Sequence, residues 1–138
     1  MTGVNDSRVV SILRQPTVLW VAFIAVHVWL MWLGMVVAPG ALGDVYGVYK
    51  FWMDGLENGQ FIVGVTTAWV YPLLAIVPMW IATVAGLANY TLTWLVMVTL
   101  VDALAFGILI HGAHKSSPRA LAAWWWILAL LALGPVAL

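Results

Sequence analysis

The stretch TVLWVAFIAVHVWLMWLGMVVA, residues 17–38, decides the fold of this chain. It carries no charged residue and is long enough to cross a bilayer core, which needs about 20 apolar residues. Arg8 and Arg14 precede it as in a signal peptide, but the run exceeds the roughly 7–15 residues of a signal core. It also lacks a small-residue cleavage site before Pro39. We therefore predict a retained first membrane span at 17–38, after a cytoplasmic segment at 1–16.

The composition agrees with a membrane environment. Of the 138 residues, 65% are hydrophobic and only 7% are charged, whereas soluble domains carry about 25% charged residues. The 10 tryptophans fit a protein whose indole rings collect at membrane–water interfaces. The absence of cysteine excludes disulfides, thiol catalysis and thiolate metal sites, and a net charge of zero gives no sign of nucleic-acid binding. We expect an all-α, multi-pass integral protein of the cell membrane.

The rest of the chain alternates between polar and apolar stretches. The first span is followed by an outer loop at 39–64, an apolar segment at 65–88 and a span at 90–110. A polar loop at 111–119 and a last apolar run at 120–138 come next. If the segment 65–88 crosses, there are four transmembrane helices, and Lys115 and Arg119 lie outside. If it re-enters or lies at the outer surface, there are three, and both cations are cytoplasmic. The positive-inside rule and two prolines in the segment favour three crossings, while its hydrophobic length favours four.

Two ionisable residues lie inside predicted spans, His27 in the first and Asp102 in the second. A carboxylate at mid-bilayer costs about 2.5–3.5 kcal/mol on insertion scales. We therefore expect Asp102 to face other helices and to take part in an interhelical hydrogen bond. A transporter that uses the two residues as a proton relay is a weaker alternative, because one acid alone lies within the spans and no repeat symmetry is visible.

The outer loop holds the stretch GDVYGVYKFWMDGLENGQ, residues 43–60, which concentrates charge in an otherwise apolar chain. It contains four charged residues: Asp44, Lys50, Asp54 and Glu57. One interpretation is an ordinary amphipathic connector with an interfacial helix around VYKFW. The other is functional, because Asp44 follows the first span closely, and a carboxylate held near the membrane surface can accept a proton from a polar substrate. Three glycines of the stretch are expected to allow tight turns: Gly47, Gly55 and Gly59.

These residues resemble a known family. GDVYGVYKFWMDGLENGQF followed by WVYPLLAIVPMW is similar to the opening of the glycosyltransferase 87 family, membrane mannosyltransferases of the GT-C fold. The shared pattern is an aspartate that opens the first outer loop, then aromatics with a glycine, then a Tyr-Pro pair: Asp44, Tyr46, Tyr49, Gly55 and Tyr71-Pro72. AAWWWILALLALGPVAL resembles the next helix of the family, which continues into a GRIDAV-like motif. The resemblance spans residues 15–138 and implies an N-terminal fragment of a GT-C fold.

The resemblance implies a function and a set of site residues. The donor would be a polyprenyl-phosphate-linked sugar, mannose in this family, and the acceptor a membrane lipid or glycolipid on the outer face. Asp44 would be the catalytic general base, with substrate-binding roles for four residues: Tyr46, Tyr49, Lys50 and Tyr71. No metal or cofactor is expected. Because family members are several hundred residues long, a second polypeptide that completes the fold is a further expectation, and this fragment alone is expected to be inactive.

A different class of protein stays open beside the enzyme. A small non-enzymatic membrane bundle with a scaffold or partner-binding role needs no catalytic aspartate. It also explains the short chain directly.

Overall fold

The computed structural model describes residues 3–111 and 117–134, and Lys115, one of the predicted cytoplasmic cations, lies outside them. Most of the described residues are helical, and none of them lies in a named strand; Val63 and Thr67 form one isolated bridge. The α-helices are α1 (Gly3–Leu13), α2 (Pro16–Trp32), α3 (Lys50–Glu57), α4 (Ile76–Ile81), α5 (Tyr90–Ile110) and α6 (Ser117–Leu133). The expected all-α class is therefore confirmed for the described part of the chain.

Local sequence explains where α2 begins and ends. Pro16 is the first helical residue, where its missing N–H is not needed, and Gln15 before it is extended with ψ 129, as a residue preceding proline prefers. The helix continues through a π-helical turn, Leu33–Val37. It stops at Ala38, which has left the helical region with ψ 61, because Pro39 follows.

Two helical stretches are long and apolar enough to cross a membrane, Pro16–Val37 and Leu87–Ile110, and a shorter apolar helix covers Pro118–Ala132. Few of their residues are buried. In the most apolar 18-residue window of each long stretch, only 17% and 11% of the residues are buried, respectively. Leu104 and Ile108 of α5, for example, are 71% and 78% exposed. The core helix of a soluble protein would bury such residues, so these apolar faces are free to meet lipid.

Helices α2, α5 and α6 pack together as a bundle. Trp20 of α2 meets Phe106 near the end of α5, with ring centroids 5.4 Å apart, so these two helices run antiparallel. Helix α6 runs parallel to α2, because Trp124 donates a hydrogen bond to the carbonyl of Leu13, which precedes α2, over 3.0 Å. The bundle core contains eight buried residues: Leu19, Phe23, Val26, Phe106, Ile110, Ala120, Ala123 and Ile127.

The apolar segment 65–88 does not form one long helix. It contains two turns of 3-10 helix and the six-residue α4, and a helix of that length falls far short of a bilayer core. Pro72 precedes the first 3-10 turn, and Pro78 sits in the first turn of α4, where proline is tolerated. The segment packs against the outer-loop helices and against the first part of α5.

The glycines of the outer loop have different roles from those expected. Gly59 has a positive φ of 65°, as a tight turn requires. Gly47 and Gly55 instead lie inside helical segments, so the expected turns at these two positions are wrong. Gly55 is buried, and a Cβ there would overlap the ring of Phe61. Close packing, not turn formation, explains the absence of a side chain at residue 55.

Candidate functional site

The outer-loop stretch folds against the segment that carries the Tyr-Pro pair. Together with the start of α5 they form an aromatic cluster of Tyr49, Trp52, Trp69, Tyr71 and Trp94. The Tyr49 and Tyr71 rings lie edge to face with centroids 5.6 Å apart, and Trp52 and Trp69 lie 4.8 Å apart. Edge-to-face aromatic pairs contribute about 0.5–1.5 kcal/mol each beyond the area that they bury. Contacts between aromatic rings therefore hold the outer-loop stretch, residues 43–60, against the segment that carries the Tyr71-Pro72 pair.

Asp44 begins the π-helical segment Asp44–Tyr49, and its carboxylate is exposed. Burial raises the pKa of the Tyr49 hydroxyl above its ordinary value, and the neighbouring Tyr71 and the charge of Asp44 raise it further. The Tyr49 hydroxyl therefore keeps its proton at neutral pH and can donate a hydrogen bond. Tyr49 thus packs against Tyr71 and lies within electrostatic range of Asp44.

The other predicted substrate-binding residues lie close to Tyr49 in the chain. Tyr46 is 50% exposed on the same π-helical segment. Lys50 begins α3 and is partly exposed. Neither side chain belongs to the aromatic cluster.

The two remaining acids of the outer loop have a simpler environment. Asp54 accepts a hydrogen bond of 3.0 Å from the side-chain amide of Asn58, one turn later in the chain, and both residues are exposed. Glu57 ends α3 and is also exposed. This arrangement is typical of a solvated helix face, and it separates these acids from the aromatic cluster.

Sequence reasoning missed two polar groups in this region. The Tyr90 hydroxyl and the Trp69 indole nitrogen are buried without a hydrogen-bond partner among the described residues. Tyr90 is fully buried beneath the outer loop, at the first residue of α5. Buried polar groups are nearly always hydrogen-bonded, so these atoms are places where water or a bound ligand would be stabilised. The polar pair Asn89-Tyr90 within an apolar run is the signal that marks this position in the sequence.

A second polar site lies inside the bundle and joins three helices. His27 of α2 and Asp102 of α5 approach to 3.1 Å between Nε2 and Oδ2. The Trp126 indole of α6 donates to the same Asp102 oxygen over 3.3 Å. On its other side, His27 Nδ1 lies 3.0 Å from the carbonyl oxygen of Phe23. Asp102 therefore takes part in interhelical contacts, as its position in an apolar span predicts.

Both nitrogens of the imidazole have a partner in this network. A carbonyl oxygen only accepts, so His27 contacts Phe23 as a donor through Nδ1 and meets Asp102 through Nε2. Polar groups that are paired in this way avoid the large cost of being buried without a partner in an apolar interior.

No group of three or more His, Cys, Asp or Glu residues that could hold a metal ion occurs among residues 3–111 and 117–134. The two polar sites are therefore built from acid, imidazole, hydroxyl and indole groups.

The fold and these sites define a class of protein: an all-helical chain with two helices long and apolar enough to cross a membrane. No protein-family model, curated protein or solved structure matches the chain. The membership of a glycosyltransferase family that the sequence pattern suggests therefore remains a prediction.

Proposed function

We propose that the chain is part of a multi-pass membrane glycosyltransferase that moves a sugar from a polyprenyl-phosphate donor to a membrane lipid or glycolipid acceptor. The observation that carries this proposal is the contact between the two halves of the sequence pattern. Tyr49 and Tyr71 are 22 positions apart in the chain, yet their rings lie edge to face with centroids 5.6 Å apart, and the charge of Asp44 acts on the pKa of the Tyr49 hydroxyl. Residues that recur together in a catalytic pattern are expected to meet in space.

The chemistry of sugar transfer suits this arrangement. The acceptor hydroxyl must lose its proton as the new glycosidic bond forms, and the donor phosphate leaves. Asp44 is the general base in this proposal, since its exposed carboxylate can take that proton. The departing phosphate needs cationic or hydrogen-bonding partners, and in this proposal Lys50, the first residue of α3, and Tyr49, the residue before it, supply them.

The membrane location rests on separate support. The apolar faces of α2 and α5 are exposed, and their ionisable groups, His27 and Asp102, contact each other inside the bundle. This distribution is the one expected when lipid surrounds the helices. The outer loop and the aromatic cluster then lie at one end of the bundle, where a lipid-linked donor and a polar acceptor can meet.

The direct test is transfer of radiolabelled mannose from polyprenyl-phosphate-mannose in membranes that carry the completed protein, that is, this chain together with the rest of the GT-C fold. Loss of a general base costs about 10²–10⁴-fold in rate, so Asp44→Asn should nearly abolish transfer. Asp54→Asn and Glu57→Gln are matched controls from the same loop and should stay within severalfold of the unmodified protein. Full transfer by Asp44→Asn would remove the base assignment. No transfer by the completed protein above that of membranes lacking it would contradict the enzyme and leave the non-enzymatic bundle in its place.

A further inference from the structure

An apolar groove runs along the bundle on the side away from the His27–Asp102 pair. It has a volume of about 880 Å³ and is open along its length, since Leu104 and Ile108 are 71% and 78% exposed. Apolar side chains of α5 and the indole of Trp20 form its walls. Gly107 forms part of the floor, because a Cβ there would lie 3.4 Å from the Trp20 ring.

The groove is polar at one end only. Leu100, Ala103, Leu104 and Ile108 line its apolar length, and His111 and Arg119 line its end. The Arg119 guanidinium donates a hydrogen bond to the carbonyl of His111 at the end of α5. A guanidinium has five N–H donors, so others remain for an anion at the mouth of the groove.

The length of the groove corresponds to one leaflet. Leu100 and His111 are separated by about 16 Å along the helix, at roughly 1.5 Å per residue. The hydrocarbon core of a bilayer is about 30 Å thick, so the groove reaches from the polar end of the bundle to about its midplane. An occupant with one charged end and an apolar body of one-leaflet depth fits this shape.

We propose that the groove binds an anionic phospholipid, with an acyl chain along α5 and the phosphate at Arg119 and His111. Charge complementarity selects the anionic headgroup, and basic pockets between membrane helices are known to hold such headgroups. Arg14 lines a neighbouring groove with Ala120 and Leu121, so two arginines lie at this end of the bundle. The inference rests on the proposed membrane location and is independent of sugar transfer.

Native mass spectrometry of the purified protein tests the proposal. The protein is titrated with phosphatidylglycerol or with phosphatidylcholine of identical acyl chains, and we expect preferential retention of phosphatidylglycerol. One cation near an anionic headgroup contributes an affinity factor of roughly fivefold, so Arg119→Gln should reduce that preference about fivefold. Arg119→Lys keeps the charge and should largely preserve it. Asp44→Asn should bind the lipid like the unmodified protein, which separates this test from that of the enzyme.

Two further variants make the test specific to the groove. Arg8→Gln removes the same charge from α1, where the side chain is exposed and does not line the groove, and it should leave the lipid preference unchanged. Gly107→Leu fills the groove and should weaken retention of both lipids. Equal retention of the two lipids by the unmodified protein would overturn the proposal. The proposal would also be overturned if Arg8→Gln reduced the preference for phosphatidylglycerol as much as Arg119→Gln does. Complete displacement of the bound lipid by millimolar inorganic phosphate would overturn it as well.

Discussion

His27 Nε2 and Asp102 Oδ2 lie 3.1 Å apart and connect α2 to α5 inside the helical bundle. The Trp126 indole of α6 donates a hydrogen bond to the same oxygen. One carboxyl group therefore joins all three helices of the bundle, and its contribution to stability can be measured.

We predict that Asp102→Asn is tolerated and that Asp102→Leu is destabilising. The amide keeps a hydrogen-bonding end at this position without the charge, whereas leucine leaves both His27 and Trp126 without their partner. Interhelical hydrogen bonds in membranes average about 0.6 kcal/mol and reach about 1.7 kcal/mol, so the loss should be modest. Thermal unfolding in detergent measures it, and a double-mutant cycle with His27→Leu isolates the coupling. A higher melting temperature for Asp102→Leu would show that the pair is kept for a reason other than stability, such as proton transfer.

Gly55 supplies a prediction about the outer-loop packing. A Cβ at residue 55 would overlap the Phe61 ring, and overpacking costs about 1–3 kcal/mol. Gly55→Ala should therefore lower the melting temperature, even though alanine favours a helix by about 1 kcal/mol. Gly47→Ala is the matched control, because nothing lies within 4 Å of a Cβ there, and it should be neutral or stabilising. If Phe61→Leu does not relieve the defect of Gly55→Ala, the clash with Phe61 is not its cause.

Topology gives a third prediction, and the cysteine-free sequence makes it simple to test. Helices α2 and α5 run antiparallel, so Gln15 before α2 and His111 after α5 should lie on the same side of the membrane, with Asn58 on the other. Single replacements Gln15→Cys, His111→Cys and Asn58→Cys are treated with an impermeant thiol reagent in intact cells. Labelling of Asn58→Cys alone is expected. Labelling of His111→Cys from outside would require an additional crossing by the segment 65–88.

The sequence predicts the long apolar helices well because their signal is local. A run such as 17–38 can satisfy its backbone in lipid only as a helix, and α2 with its π-helical turn occupies most of that run. Helix α1 was not anticipated, since Gly3–Leu13 mixes polar and apolar residues without a clear period. Segment 65–88 remained ambiguous because hydrophobic length and proline content point in opposite directions.

Contacts between elements were beyond a reading of one sequence. Residues 124–126 are three consecutive tryptophans, yet Trp124 bonds to the carbonyl of Leu13 and Trp126 to Asp102. Which indole faces which helix depends on the rotation of α6, and packing of the whole bundle sets that rotation. The approach of Tyr49 to Tyr71 likewise depends on the irregular path of residues 61–75, which no periodicity describes.

The last prediction concerns Lys50, the residue proposed to contact the donor phosphate. Lys50 begins α3 at the margin of the aromatic cluster, where its ammonium group can interact with an anion without taking part in proton transfer. A hydrogen bond to a charged group contributes about 1.5–3 kcal/mol, so Lys50→Gln should raise KM for the polyprenyl-phosphate donor by roughly tenfold or more.

The value of kcat separates this role from that of the base. If Lys50 contacts the phosphate equally in the bound and transition states, kcat should change little, whereas Asp44→Asn should lower kcat. Lys50→Arg keeps the charge and should recover most of the donor affinity. Asp54→Asn, on the exposed face of the same helix, serves as the neighbouring control. A fall in kcat for Lys50→Gln with KM unchanged would contradict a binding role, since it would place the contact in the transition state alone.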